Sequence, residues 1–216
     1  MTTALASPTR PQRAGRPRSE TTRRSILQAT VNLLASESVQ SLTIEAIARE
    51  AGVGKATIYR WWDSKALVVI DAFVEHHVVK TPMPRDVPPA EALAAHFAAL
   101  VAEYSGWSGR IVAQIIAEGQ ADPAVLRVFR ERFHSGRRAV VREVLDQWRR
   151  DGDIVVPTDI ELLGDLIYAP VYMRLLVGHA PLDAAFVQSH LAYIYLLLGV
   201  PAPPFNRDVV TDRTVS

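Results

Sequence analysis

Residues 81–90, TPMPRDVPPA, carry four prolines in ten positions. Each lacks a backbone donor and clashes with the preceding turn of a helix, so no helix runs through this stretch. The chain is thereby cut into two sets of elements, with the best domain boundary between them. Upstream, apolar residues recur at helical spacing over 19–35 (Ile26, Ala29, Thr30, Leu33, Leu34), and Ser19 is placed to cap the start. Short helices are predicted over 43–50, with Thr43 as cap and Ile44, Ile47 and Ala48 inward, and over 55–62. A fourth runs from 63 or 64 to 79. Downstream, five further helices are predicted over 89–104, 108–120, 123–150, 158–177 and 182–198. In the long 123–150 pattern, Leu126, Phe129, Phe133, Val140, Val144 and Trp148 share one stripe with arginines opposite. No segment alternates with the period of two that a strand needs, so the class is all-α.

The two sets differ in charge. The 216 residues sum to +1, yet residues 1–65 hold ten Lys and Arg against five acids, while the remainder holds fourteen against eighteen. Positive potential gathered at one end points to a polyanionic partner for that end alone. Residues 1–18, with Pro8, Pro11, Pro17 and four arginines, show no apolar period and read as a flexible basic arm; residues 201–216 read as a tail. There is no cysteine, which removes disulfides, thiolate metal sites and a cysteine nucleophile. The first twenty residues contain no apolar leader segment, and the longest apolar run, 191–200, is about half of the ~20 residues a membrane span requires. The expectation is a soluble, cytoplasmic chain without membrane attachment.

Two short helices joined by a tight glycine-containing turn form a helix-turn-helix, whose second helix enters the major groove of DNA. That packing requires small residues in the first helix, a turn glycine, and a small, polar start to the second. Ala46 and Ala48, Gly52, and the run Gly54, Lys55, Ala56, Thr57 meet those demands. The stretch 41–68, SLTIEAIAREAGVGKATIYRWWDSKALV, closely resembles the DNA-binding core of the TetR family of bacterial regulators. The matches are Ile47-Ala48, Ala51-Gly52-Val53, Thr57-Ile58-Tyr59, Trp62 and Ser64-Lys65, behind a first helix with Ile26, Ala29 and Leu33-Leu34. Gly54 stands where the family usually has a Ser or Thr cap, and Trp61 where histidine is frequent. Glycine is a fair cap, so the departure removes one phosphate contact rather than the helix.

The resemblance implies an N-terminal three-helix helix-turn-helix domain with its connecting helix (19–80), followed by a helical bundle for effector binding and dimerisation (81–200). It implies that Lys55, Ala56, Thr57 and Trp61 face the groove, that Thr43, Tyr59 and Lys65 hold phosphates, and that Ile58 and Trp62 are core. Lys55 could read guanine and the Thr57 methyl could touch thymine. Arg16 and Arg18 are candidates for the adjacent minor groove. Other readings stay open: packing of Tyr59 and Trp61 on the fourth helix, a solvated arm, and a merely exposed Lys65. A lysine in a first helical turn does oppose the helix dipole, which favours the phosphate role.

The segment 166–183 is similar to the end of the regulatory domain in a common subgroup of the family. The last two helices are apolar almost all round, which argues for a homodimer built on them, exceeding the ~1,200–2,000 Å² of a standard contact; burial within one chain is the alternative. A two-fold dimer sets two recognition helices about 34 Å apart, so the operator should be a palindrome in double-stranded DNA. Phe97, Trp107, Gln114, Phe133, His134, Trp148, Tyr168 and Tyr172 are candidate lining residues for a small-molecule effector, with plain core as the competing role. The function implied is sequence-specific repression, relieved when the effector shifts the fourth helix and respaces the recognition helices.

Enzymatic readings fare poorly. Glu131 and His134 have the spacing of a di-iron helix, but no other histidine follows a glutamate by three, and His76 and His77 are adjacent on a helix and point apart. Neither a phosphate-binding glycine loop nor a serine elbow is present. No metal or cofactor is expected. A non-regulatory helical dimer that coats DNA through its basic arm, or binds none, is the second alternative; sequence preference separates it from a repressor.

Overall fold

The computed structural model describes residues 19–78, 80–154 and 159–204. Arg16, Arg18 and the rest of the basic arm lie outside these residues, as do most of the tail and the expected start of the eighth-pattern helix at Thr158. The described residues are all-helical, without strands.

Helix α1 (Glu20–Leu34) buries Ile26, Leu27, Ala29, Thr30 and Leu34. Ser19 occupies the cap position in extended backbone, but its side chain makes no capping bond, so that expectation is corrected. Helix α2 (Ile44–Glu50) is capped as expected, with Thr43 Oγ1 accepting from the Ala46 amide at 3.1 Å. The chain then turns through Gly52, whose φ of +66° is a left-handed conformation that glycine adopts without a Cβ clash. Helix α3 (Lys55–Tyr59) is shorter than the predicted 55–62. Its last turn tightens, with the Trp61 amide bonding the Ile58 carbonyl three residues back at 2.9 Å, and Ser64 then opens α4 (Lys65–Val78).

Helix α4 is the axle of the molecule. It buries Val68, Val69, Ile70, Ala72 and Phe73 and packs against α1 on one side. On the other it meets α6 (Trp107–Ala121), α7 (Pro123–Phe129) and the turn that follows α7. No helix crosses the proline segment before α5 (Pro89–Tyr104), yet one continuous core runs from Ile26 to Leu198 through α4.

The predicted single helix over 123–150 is interrupted. A π-helical turn, Arg130–His134, separates α7 from α8 (Ser135–Arg150). The extra residue in that turn rotates everything after it. Val125, Phe129 and Phe133 are buried, and the stripe then continues through Val141, Leu145 and Trp148 in place of the expected Val140 and Val144. Helices α9 (Ile160–Val177) and α10 (Ala184–Leu198) each bury one face. The expectation that they are covered all round is not met within this chain. Leu162, Leu166, Met173, Leu176 and Val177 on α9, and Tyr193, Leu196 and Leu197 on α10, stand exposed.

Candidate nucleic-acid interface

The helix-turn-helix presents a compact polar face. Gly54, Lys55, Ala56, Arg60 and Tyr59 are exposed, Tyr59 by 51%, while Ile58 and Trp62 behind them are buried. Thr57 is half-buried, and its hydroxyl accepts from Arg60 at 3.4 Å. Thr43 is exposed at the start of α2; its oxygen serves the Ala46 amide, and its hydrogen remains available to an external acceptor. Trp61 is half-buried with its ring 6.1 Å from that of Trp62.

Sequence reasoning missed an acidic neighbour of the recognition helix. Glu45 on α2 pairs with Lys55 at 2.8 Å, and the bond between them lowers the carboxyl and raises the ammonium from their ordinary values. The ten-residue separation concealed this contact, which the turn creates. Lys65 is also differently employed: its ammonium donates to the carbonyls of Val39 at 2.7 Å and Gln40 at 3.3 Å, tying the first turn of α4 to the α1–α2 loop. The same loop is held from the other half of the molecule, where Gln114 Oε1 accepts from the Val39 amide at 2.7 Å. Gln114 is thus a brace between the two halves.

A second brace starts at Trp62. Its Nε1 donates to Asp71 Oδ2 at 2.7 Å, and the other oxygen of Asp71 is ion-paired with Arg132 in the π turn. The base of the recognition helix is therefore linked through one carboxylate to a residue that lines a cavity in the C-terminal half.

That half contains a buried polar cluster. Arg137 on α8 donates to Thr81 Oγ1 at 3.0 Å and to His77 Nε2. Its guanidinium carbon lies 5.9, 5.2 and 5.9 Å from the rings of Tyr104, Phe133 and Tyr168. Its Nε and Nη1 are buried with no hydrogen-bond partner among the described residues, and no carboxylate among them pairs with it. Stripping water from an ion costs several kcal/mol, whereas a cation over an aromatic face recovers ~0.5–2. Burial, with Arg137 beside it, pushes His77 down to about 2; burial again, and then Arg137, pushes His96 down to about 4. Both rings are therefore neutral near pH 7. His96 bonds Tyr168 Oη at 2.9 Å and the Pro82 carbonyl at 3.2 Å. Desolvation raises the phenols of Tyr104, Tyr168 and Tyr172, so they keep their protons.

Of the candidate lining residues, Phe133, Tyr168 and Tyr172 converge on this cluster. The others do not. Phe97 packs on Phe186 and His190, Trp107 on His76, Gln114 braces the α1–α2 loop, His134 sits near Arg138 and Asp165, and Trp148 is core.

An exposed helix-turn-helix mounted on an all-helical second half is the architecture of a DNA-binding transcriptional regulator. Two family models agree: residues 26–71 match the bacterial regulatory proteins of the tetR family, and residues 88–194 match a tetracyclin repressor-like C-terminal domain. Over 175 residues the chain is 32% identical to the uncharacterized HTH-type transcriptional regulator YdeS of Bacillus subtilis (strain 168), spanning 81% of this chain and 88% of that protein. The crystal structure of the TetR family regulator SCO0332 superposes with a TM-score of 0.74 at 32% identity, covering 84% of this chain and 100% of that one. FadR from Bacillus subtilis, in complex with stearoyl-CoA, shares the fold at 18% identity and a TM-score of 0.63, over 79% and 96% of the two chains. The chain belongs to the TetR family of transcriptional regulators. Among the described residues no helix is long and apolar enough to cross a membrane.

Proposed function

We propose that this chain acts as a homodimeric repressor that holds a palindromic operator and releases it when a small molecule binds in its C-terminal half. The observation that carries the reading is the Trp62–Asp71–Arg132 connection, which joins the base of the recognition helix to a cavity wall on the far side of α4. A ligand that moves Arg132 pulls on Asp71, and hence on the seat of α3. Such a ligand would favour a geometry in which the two recognition helices no longer match both half-sites.

The apolar stripes of α9 and α10 support the dimer. Leu162, Leu166, Met173 and Val177 lie at spacings of four and seven along one face of α9, and Tyr193, Leu196 and Leu197 of α10 are exposed as well. Exposed apolar surface on this scale is characteristic of an interface. The assigned groove residues are Lys55, Ala56, Thr57 and Trp61, with Thr43 and Tyr59 on phosphates. Lys65 mainly positions the α1–α2 loop, and its third N–H is the one left for a phosphate. Arg16 and Arg18 are assigned to the minor groove. FadR, which shares this fold, was solved in complex with stearoyl-CoA, and that supports an effector for this chain.

The test is a selection of random duplexes by the purified protein at near-physiological salt. Enrichment of one palindrome is expected, and its promoter should be silenced in a reporter strain carrying the protein. Uniform recovery of all sequences would overturn the repressor reading in favour of a nonspecific DNA binder.

A further inference from the structure

Arg137 has buried Nε and Nη1 atoms and no opposite charge among the described residues, and the unpartnered polar atoms around it can each offer a hydrogen. Its own Nε and Nη1 are unpaired, as are the hydroxyls of Tyr104 and Tyr172 and His77 Nδ1. Because His77 is neutral and accepts from Arg137 through Nε2, its proton resides on Nδ1, which adds one more donor. The neighbouring cation Arg132 is neutralised by Asp71, which leaves Arg137 as the guanidinium on the inner cavity without a carboxylate among the described residues.

The Arg137 edge of the cluster is reached by two adjoining cavities, which the Tyr104 and Tyr172 hydroxyls do not line. The inner one, of about 180 Å³, is lined by Thr81, His96, Phe133 and Arg137 among others. The outer one, of about 300 Å³, shares Met83 and Val140 with it. It runs between the proline segment and α8, past Val87, Ala92 and Val144 to Arg85, Gln147 and Arg150. The π turn is what aims Val140 and Val144 into this trough instead of the core.

Resting on the effector reading above, we propose that the cluster is the head-group site for a small organic monoanion. The ligand is a carboxylate held by the Arg137 fork, its head reaching past the cavity wall to the tyrosine hydroxyls and its apolar body lying in the trough. A planar two-oxygen head matches the guanidinium edge, and one negative charge matches one uncompensated positive charge. The second charge of a phosphate monoester would be buried unpaired.

Titration calorimetry on the full-length protein at pH 7.5 tests this, using hexanoate, decanoate and benzoate, their primary amides, and hexyl phosphate. At least one carboxylate is expected to bind about 10-fold or more tightly than its amide, Arg137→Gln to weaken it about 30-fold or more, and Tyr172→Phe about 5-fold. Tyr172→Phe deletes a buried hydroxyl whose polar neighbour is the Tyr104 hydroxyl, so its melting should stay close to that of the parent and keep the test decisive even if Arg137→Gln folds poorly. Equal affinity for acids and amides, stronger binding of hexyl phosphate than of hexanoate, carboxylate affinity unchanged by both substitutions, or no binding by any carboxylate would each overturn the proposal. Operator occupancy is the separate readout. Binding through Arg137 with no release of DNA upholds the anion site and removes the effector role; release by neutral compounds that act equally on Arg137→Gln removes the anion site and upholds that role.

Discussion

At the recognition helix, Lys55 stands in solvent and already has Glu45 to answer its charge, whereas across α4 the Arg137 guanidinium is largely buried and has no carboxylate among the described residues. The first site is built from residues within thirty positions of one another, on helices whose spacing is set by a short turn. The second draws on α4, α5, α8 and α9, where His77, His96, Tyr104, Arg137, Tyr168 and Tyr172 meet only because the bundle closes. An exposed site can be chemically complete before its ligand arrives. A buried site left incomplete is less stable without one, and that contrast is what experiments can break or sharpen.

The largest effect should come from separating the two copies. Met173→Glu combined with Leu196→Glu places charges in the exposed stripes, and sedimentation should report a monomer. Operator affinity should then fall about 1,000-fold, because the second half-site loses its tethered partner. A dimer that survives both substitutions would move the interface elsewhere.

Acid should act on the buried half first. His77 and His96 have folded values near 2 and 4, below the ~6.5 of an unfolded histidine. Below pH 6.5 the unfolded chain therefore takes up protons that the folded chain refuses, and stability drops as the pH falls. Each histidine should contribute about 2 kcal/mol of loss between pH 6.5 and 5, readable as a falling urea midpoint. His96→Gln should flatten part of that slope, and a midpoint that stays level would refute the neutral-histidine cluster.

Asp71→Ala tests the strut between the halves. It removes the acceptor of Trp62 Nε1 and the partner of Arg132, and should cost about 1–3 kcal/mol in stability. Operator binding should persist while its response to ligand fades. If the ligand response is intact, the coupling runs through the Val39–Gln114 brace instead.

The smallest effects belong to the exposed face. Lys55→Ala should weaken operator binding about 10-fold and relax preference at one base pair. Glu45→Ala should strengthen binding about 2-fold by releasing Lys55 and removing an acid from beside the DNA. Measurements at two salt concentrations would separate these contributions, since lost phosphate contacts change the salt slope and lost base contacts do not.

The helix-turn-helix was readable from sequence because its geometry is local. Thr43 caps, Gly52 turns, and Ile47, Ile58 and Trp62 alternate inward within about twenty residues. The Glu45–Lys55 pair and the loop-binding role of Lys65 were not readable, since both depend on how the turn folds back. In the second half, the proline break and four of the five expected helices were legible, the fifth being split by the π turn, and so was a share of the aromatic wall. Arg137 was not, because sequence alone makes it one of many arginines on an outward face; only the π turn and the three surrounding rings turn it inward.

That π turn also bears on how relatives can be compared. An α-helix advances about 100° per residue, so the surplus residue in Arg130–His134 sets all of α8 a hundred degrees out of phase with an uninterrupted helix. A homologue lacking the bulge would carry, at the position aligned with Arg137, a side chain directed elsewhere. Ligand preference within such a lineage could therefore change by the loss or gain of a single codon, with every residue of the pocket wall left unaltered.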